Sequence, residues 1–207
     1  AAIIGGHSSM GSELTIGFTV TGLCEQDPIT IAGARPGDIL ILTKPIGSGV
    51  ILAAEMQGKA SGVVVVGAYA AMAASQGEAS RILETANAMT DVTGFGLAGH
   101  LAGICEASGV AAEVRLADVP LLPGALELAE QGVASTILPD NRSGAGPVFG
   151  AKGARGALMF DPQTAGGLLA AVTVTEAEHI LEALQAAGYP AVRIGKIVAG
   201  APGVTFR

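Results

Sequence analysis

Tryptophan is absent, and Lys and Arg together number only 11 against 18 Asp and Glu, which leaves a formal charge of −7. Binding nucleic acid calls for a basic surface that neutralises phosphates, and single-strand binders add aromatic rings on which bases stack. Neither is present, so nucleic acid is excluded as an expected partner. Long apolar runs are missing too. The most apolar window, residues 63–74, is shorter than the roughly 20 residues that span a bilayer and is flanked by Ser61 and Ser75, so it reads as a buried helix with no membrane partner. Cysteine is scarce. Cys24 and Cys105 stand alone, with neither metal-ligand spacing nor a disulfide framework, which fits a reducing, cytoplasmic setting and reads as two small buried hydrophobes. An initiator Met is lacking, and the abrupt opening Ala1-Ala2-Ile3-Ile4-Gly5-Gly6-His7 reads as a piece of something longer. No charged segment followed by an apolar one and a cleavage site opens the chain, although a cut piece would have lost it.

What is present is apolar and rich in glycine. With 207 residues and 50% hydrophobic character the chain can bury a substantial core, as one large or two small domains. Residues 14–24 alternate and are β-branched, which predicts a strand ended by the polar loop at 25–28. The turn cluster Ala34-Arg35-Pro36-Gly37-Asp38 marks a domain boundary, giving segments 1–33 and 34–207. Beyond it, residues 39–43 form a continuous apolar strand, a helix runs to about Gly58, and residues 61–88 are helical with a break at Gln76-Gly77. Further strands are expected at 111–116, 157–160, 168–174, 192–198 and 204–206. Further helices are expected after Gly96, at 121–131, and from Thr175, with Glu178 at the capping-box position, to Ala187. Residues 140–156 read as irregular. Strands and helices mix without strict alternation, which predicts an α+β fold with helices packed on a mixed β-sheet.

Three segments carry chemistry. The first is residues 90–101, Thr-Asp-Val-Thr-Gly-Phe-Gly-Leu-Ala-Gly-His-Leu, where a carboxylate precedes a glycine-rich loop that runs into a helix marked by Leu97, Leu101, Ile104 and Cys105. Glycine lets the backbone approach a ligand, and the free N–H groups of a helix start attract anions. Asp91 is therefore placed either to hold a divalent cation against an anionic ligand or to cap the helix, the commoner task for Asp. His100, at the edge of the apolar stripe, reads as a packed or solvent-facing side chain. The second segment, Gly5-Gly6-His7-Ser8, can wrap a phosphate or form a tight turn. The third, Asp161-Pro162-Gln163-Thr164-Ala165-Gly166-Gly167, reads as a turn between buried strands from which Asp161 and Gln163 can face a cleft. Pro45-Ile46-Gly47-Ser48-Gly49 has the glycine content of a phosphate loop but not its Gly-Lys-Ser/Thr ending.

Taken together and in this order, Gly5-Gly-His-Ser, residues 33–38 (Gly-Ala-Arg-Pro-Gly-Asp), residues 42–47 (Leu-Thr-Lys-Pro-Ile-Gly), residues 90–101 and residues 161–169 resemble the selenophosphate synthetase (selenide, water dikinase) family across nearly the whole chain. Phe95 and the Gly99-His100-Leu101 ending match that branch rather than the related AIR synthases, thiamine-monophosphate kinases and hydrogenase maturation factors. The resemblance implies that ATP, selenide and water give selenophosphate, AMP and phosphate, with Mg²⁺ bridging the phosphates. It implies a homodimer joined through N-terminal ATP-binding domains, of which 1–33 would be the end, and a C-terminal α+β domain at 34–207. Asp91 would be a Mg²⁺ ligand, and Gly5, Gly6 and His7 would contact the nucleotide across the dimer. The family's reactive Cys or selenocysteine, its neighbouring Lys and further metal-binding aspartates match no position here. Cys24, Cys105 and Lys44 inherit no role, no catalytic residue is expected in this chain, and the chain alone should be inactive. Residues 134–142 resemble only in part the family's Asn-containing loop, which leaves Asn141 and Arg142 without an assigned role. Two other readings stay open: a different ATP-dependent enzyme of the superfold, or a non-catalytic interaction domain.

Overall fold

The computed structural model describes residues 2–23 and 27–207. Among them the strands are β1 (Ile39–Leu42), β2 (Ala88–Asp91), β3 (Ala111–Val114), β4 (Val148–Phe149), β5 (Leu168–Val172), β6 (Val192–Val198) and β7 (Gly203–Phe206). The helices are α1 (Ser48–Met56), α2 (Gly62–Ala73), α3 (Gly77–Ile82), α4 (Gly96–Ser108), α5 (Ala125–Glu130), α6 (Leu138–Gly144), α7 (Gly153–Ala157) and α8 (Ala177–Ala186). One sheet takes all the strands in the order β2-β5-β1-β6-β3-β7-β4. Its pairs are antiparallel except β3 with β7 and β7 with β4, so the fold is α+β on a mixed sheet, as the pattern predicts.

β1 and β5 lie inside the sheet and are apolar at successive positions because both of their faces are covered. Leu40, Leu42, Leu169 and Ala171 pack with Val50 and Ile51 of α1 and with Leu97, Leu101, Ile104 and Cys105 of α4. The alternate residues Ile39, Ile41, Ala170 and Val172 pack on the other side with Ala79, Leu83, Ile180 and Leu184, beneath α3 and α8. Where β1 meets β6 the register slips: Leu40 faces Gly195 and Ile41 faces Arg193, leaving Ile194 as the extra residue of a bulge. The bulge lets Ile194 and Ile197 both join the core shared with α4.

Several expectations need correction. Residues 14–23 form no strand; Ile16, Phe18 and Val20 are 69%, 87% and 84% exposed, and Cys24 falls outside the described residues. Alternation marks a chain that suits a sheet, but a strand exists only by pairing, and no neighbouring edge reaches this segment. Residues 157–160 are the end of α7 and a 3₁₀ turn (Leu158–Phe160) instead of a strand, the familiar ambiguity of a short buried apolar run. The helical stretch breaks at Gln76 as expected but ends by Leu83, and the edge strand β2 follows at Ala88. Residues 140–156, expected to be irregular, contain the end of α6, all of β4 and most of α7. α2 is a helix with only Val65 and Ala68 buried, while Val63 and Val66 face outward, and no helix among the described residues is long and apolar enough to cross a membrane. The Thr175–Glu178 capping box is not formed; Thr173 donates its hydroxyl to Glu176 at 2.7 Å ahead of α8.

The bulge also fixes a glycine. A Cβ at Gly195 would lie 2.1 Å from the Glu113 carbonyl oxygen and 2.9 Å from Val114 Cα, so any side chain there separates β6 from β3. Gly195→Ala should lower stability by about 2–3 kcal/mol in chemical denaturation. An unchanged unfolding midpoint would contradict this packing.

Candidate functional site

Asp91 is the last residue of β2, paired across the ladder with Leu168. Its side chain is exposed and takes part in no hydrogen bond or ion pair among the described residues. It does not cap α4: Phe95 precedes that helix, and no side chain caps it. The helix-cap reading of Asp91 therefore fails.

The loop between Asp91 and α4 is tightened from within. Gly96 takes a positive φ of 71° and donates its N–H to the Thr93 carbonyl at 3.0 Å. His100 Nε2 accepts the Thr93 N–H at 3.0 Å, which assigns the ring proton to Nδ1. Burial pushes the His100 pKa down, and the nearby charge of Asp91 opposes that only in part, so the imidazole stays neutral and keeps this acceptor. The Phe95 ring tilts against His100 with centroids 5.7 Å apart. The glycines expected to admit a ligand mostly admit protein. A Cβ at Gly96 would come 2.7 Å from the Phe160 carbonyl carbon and 2.9 Å from the Asp161 carbonyl oxygen, and one at Gly99 would come 2.8 Å from Phe95 Cβ. Gly94 alone among the three has open space around it.

Beside this loop lies a cleft of about 850 Å³, whose walls include Thr90, Phe95, His100, Asn141 and Pro147. Asn141 closes one side from α6, donating its amide to the carbonyls of Gly94 at 2.7 Å and Phe160 at 3.0 Å. Arg142 lies over the Phe160 ring at 5.1 Å. Both residues, unassigned from sequence, thus dock α6: Asn141 against the loop and Arg142 against the 3₁₀ turn at Leu158–Phe160. The signal was present as an Asn-Arg pair, but nothing local shows which carbonyls they reach.

Asp161 and Gln163 do not face a cleft. They are 0% and 6% exposed and replace the side-chain cap that α1 lacks. Gln163 Oε1 accepts from the N–H groups of Gly47 at 2.8 Å and Ser48 at 3.1 Å, and Asp161 Oδ2 accepts from the Val50 N–H at 3.1 Å. The Gln163 amide donates to Asp161 Oδ2 at 3.1 Å, while Asp161 Oδ1 has no hydrogen-bond partner among the described residues. Pro45-Ile46-Gly47-Ser48-Gly49 therefore serves helix capping, with its free N–H groups already occupied by protein. The same turn grips the exit of β2: the Gln163 N–H donates to the Thr93 carbonyl at 3.0 Å, and the Val92 N–H donates to the Gly167 carbonyl at 2.8 Å.

No group of three or more His, Cys, Asp or Glu gathers into a metal-binding cluster among the described residues. One free carboxylate suits a Mg²⁺ ion that takes its other oxygens from phosphates and water, and does not suit a closed protein cage. Gly5, Gly6 and His7 are exposed, and a Cβ at either glycine would meet nothing within 4 Å. No hydrogen bond brings them to Asp91.

Residues 35–206 match the AIR synthase related protein, C-terminal domain. The chain belongs to this family. The chain is 40% identical over 204 residues to the selenide, water dikinase of Pelobacter propionicus, covering 95% of the chain and 59% of that relative. It is 38% identical over 211 residues to the selenide, water dikinase of Myxococcus xanthus, covering 98% of the chain and 60% of that relative. The chain thus spans about three-fifths of the length of these curated relatives. Among solved structures, the hydrogenase maturation protein HypE in complex with ATP superposes with a TM-score of 0.58 at 20% identity, over 86% of this chain and 49% of that one, which shows the shared fold.

Complete burial of Asp161 pushes its pKa up to about 6, although the Val50 N–H and the Gln163 amide favour the charged form. Between pH 4 and 6 the folded domain then holds a proton that the unfolded chain has released, so this group's contribution to stability falls as pH rises through that window. In Asp161→Asn that dependence disappears, and the difference in unfolding free energy between wild type and variant should change by on the order of 3 kcal/mol from pH 4 to pH 7. Parallel pH profiles for the two proteins would refute the assignment.

Proposed function

We propose that this AIR synthase related domain forms one wall of the active site of a selenide, water dikinase, which makes selenophosphate from ATP, selenide and water with release of AMP and phosphate. The observation that carries the proposal is Asp91: in a chain alike to selenide, water dikinases along nearly its full length, the carboxylate at the end of β2 is exposed and has no partner among the described residues, one position beyond Thr90 in the wall of the cleft. HypE, of the same fold, is a protein whose structure contains ATP, and the cleft here is roomy enough for a nucleotide. On this reading residues 1–33 belong to a neighbouring ATP-binding domain and 34–207 to this one. Gly5, Gly6 and His7 then reach the nucleotide bound across a homodimer in the cytoplasm.

Each residue has a task that this geometry suits. Asp91 is the residue of this chain that would hold a Mg²⁺ ion. That ion would neutralise the charge that develops during phosphoryl transfer, a reaction governed by positioning and electrostatics. His100, neutral, holds the Thr93 backbone and so the direction of the loop. Phe95 and His100 form an apolar wall that limits water on one side of the cleft. The nucleophile lies outside this chain.

In the longer enzyme, Asp91→Ala should reduce selenophosphate formation, followed by phosphorus NMR, on the order of 100-fold. Because Asp91 is exposed and unbonded, the unfolding free energy should move by no more than about 0.5 kcal/mol. The isolated chain should form no selenophosphate. Undiminished turnover in the variant, synthesis by the isolated chain, or ADP as the end product in place of AMP would each overturn the proposal.

A further inference from the structure

The turn that grips the exit of β2 is itself held by a cation. Lys44 stands two residues beyond β1, is only 5% exposed, and donates its Nζ to the Ala165 carbonyl at 3.0 Å. No carboxylate pairs with it among the described residues. Burying an ammonium group on a single carbonyl acceptor is unfavourable, where an apolar side chain would fill the same space without desolvating a charge. The carbonyl it holds belongs to an unusual residue: Ala165, at φ 47°, is the one non-glycine residue with positive φ among the described residues. Such a conformation persists where its surroundings over-determine it.

The two residues that follow leave no slack. A Cβ at Gly166 would lie 2.0 Å from the Val92 carbonyl oxygen, and one at Gly167 would lie 2.5 Å from the Lys44 backbone nitrogen and 2.9 Å from Thr43 Oγ1. Residues 165–167 are therefore wedged between the exit of β1 and Val92, the immediate neighbour of Asp91. A shift at Ala165 passes directly to the strand end that carries the free carboxylate.

We propose that Lys44 is a positioning residue, whose hold on the Ala165 carbonyl sets, through Gly166, Gly167 and Val92, where the Asp91 carboxylate meets its metal ion. This rests on the reading of Asp91 as the metal-holding residue. In the longer enzyme, Lys44→Met should raise the Mg²⁺ concentration for half-maximal turnover about tenfold, while kcat at saturating Mg²⁺ changes less than about twofold. Lys44→Arg, whose guanidinium can reach the same carbonyl, should restore most of the loss. Where Lys44→Met does not fold, Lys44→Gln carries the same test. A variant whose melting temperature moves while its Mg²⁺ dependence stays at the wild-type value would overturn the proposal and leave Lys44 a structural clip. Asp91→Ala, titrated in parallel, separates the two readings. If Asp91→Ala shifts the Mg²⁺ dependence and Lys44→Met does not, positioning fails alone; if neither does, the assignment of Asp91 fails with it.

Discussion

The fold around the cleft depends on how one helix start finds partners for its backbone N–H groups. α1 follows β1 with neither Ser, Thr nor Asp able to cap it from within, and its first turn is buried against the sheet, where water cannot serve. Asp161 and Gln163 provide the missing acceptors from 111 to 116 positions away in the sequence. Once the turn is drawn in for that purpose, its next residues must pass between β1 and β2, and only glycine fits at 166 and 167. The capping of α1, the course of the turn and the direction of β2 beyond the ladder are thus one constraint.

That constraint separates the groups used up by the fold from those left for a ligand. Ser48, Asp161, Gln163 and Asn141 are polar, yet each is spent on backbone N–H or carbonyl groups. The start of α4 is likewise closed over by residues 159–161, so the glycine-rich loop does not by itself cradle a phosphate. Asp91 stands apart because the ladder ends at it and no hydrogen bond or ion pair among the described residues reaches its carboxylate. A carboxylate held rigidly by a strand end, solvated and without a partner, can take a cation with little reorganisation.

Much of this was legible in the sequence. β1 and β5 stand out because burial on both faces demands uninterrupted apolar residues, and the helix after Gly96 shows a one-sided stripe. The motif around Asp91 marked the glycine-rich loop that runs into α4, but not the strand β2 that precedes it. What was hidden is long-range. The polar turn at 161–167 resembles any Pro-Gly turn until the uncapped start of α1 is set against it. Two of the three glycines near Asp91 looked like room for a ligand, whereas Phe160, Asp161 and Phe95 occupy that room. Residues 14–23 carry a strand pattern without a strand, since periodicity records which faces are apolar and says nothing of whether an edge lies within reach. The mistaken strand at 157–160 was apolar and buried as expected, but four residues are too few to distinguish a period of 2 from one of 3.6.

The inward face of α4 also holds Cys105, fully buried among the apolar side chains against the sheet, with its thiol pushed up to about 11 by that burial. At neutral pH such a sulfur is neither ionised nor reachable, so a thiol reagent must wait until α4 lifts from β3 and β7. Alkylation at this position therefore counts openings of the core, at a rate set by how often the helix leaves the sheet. The domain carries a clock for its own breathing, placed one helix face away from the loop that presents Asp91.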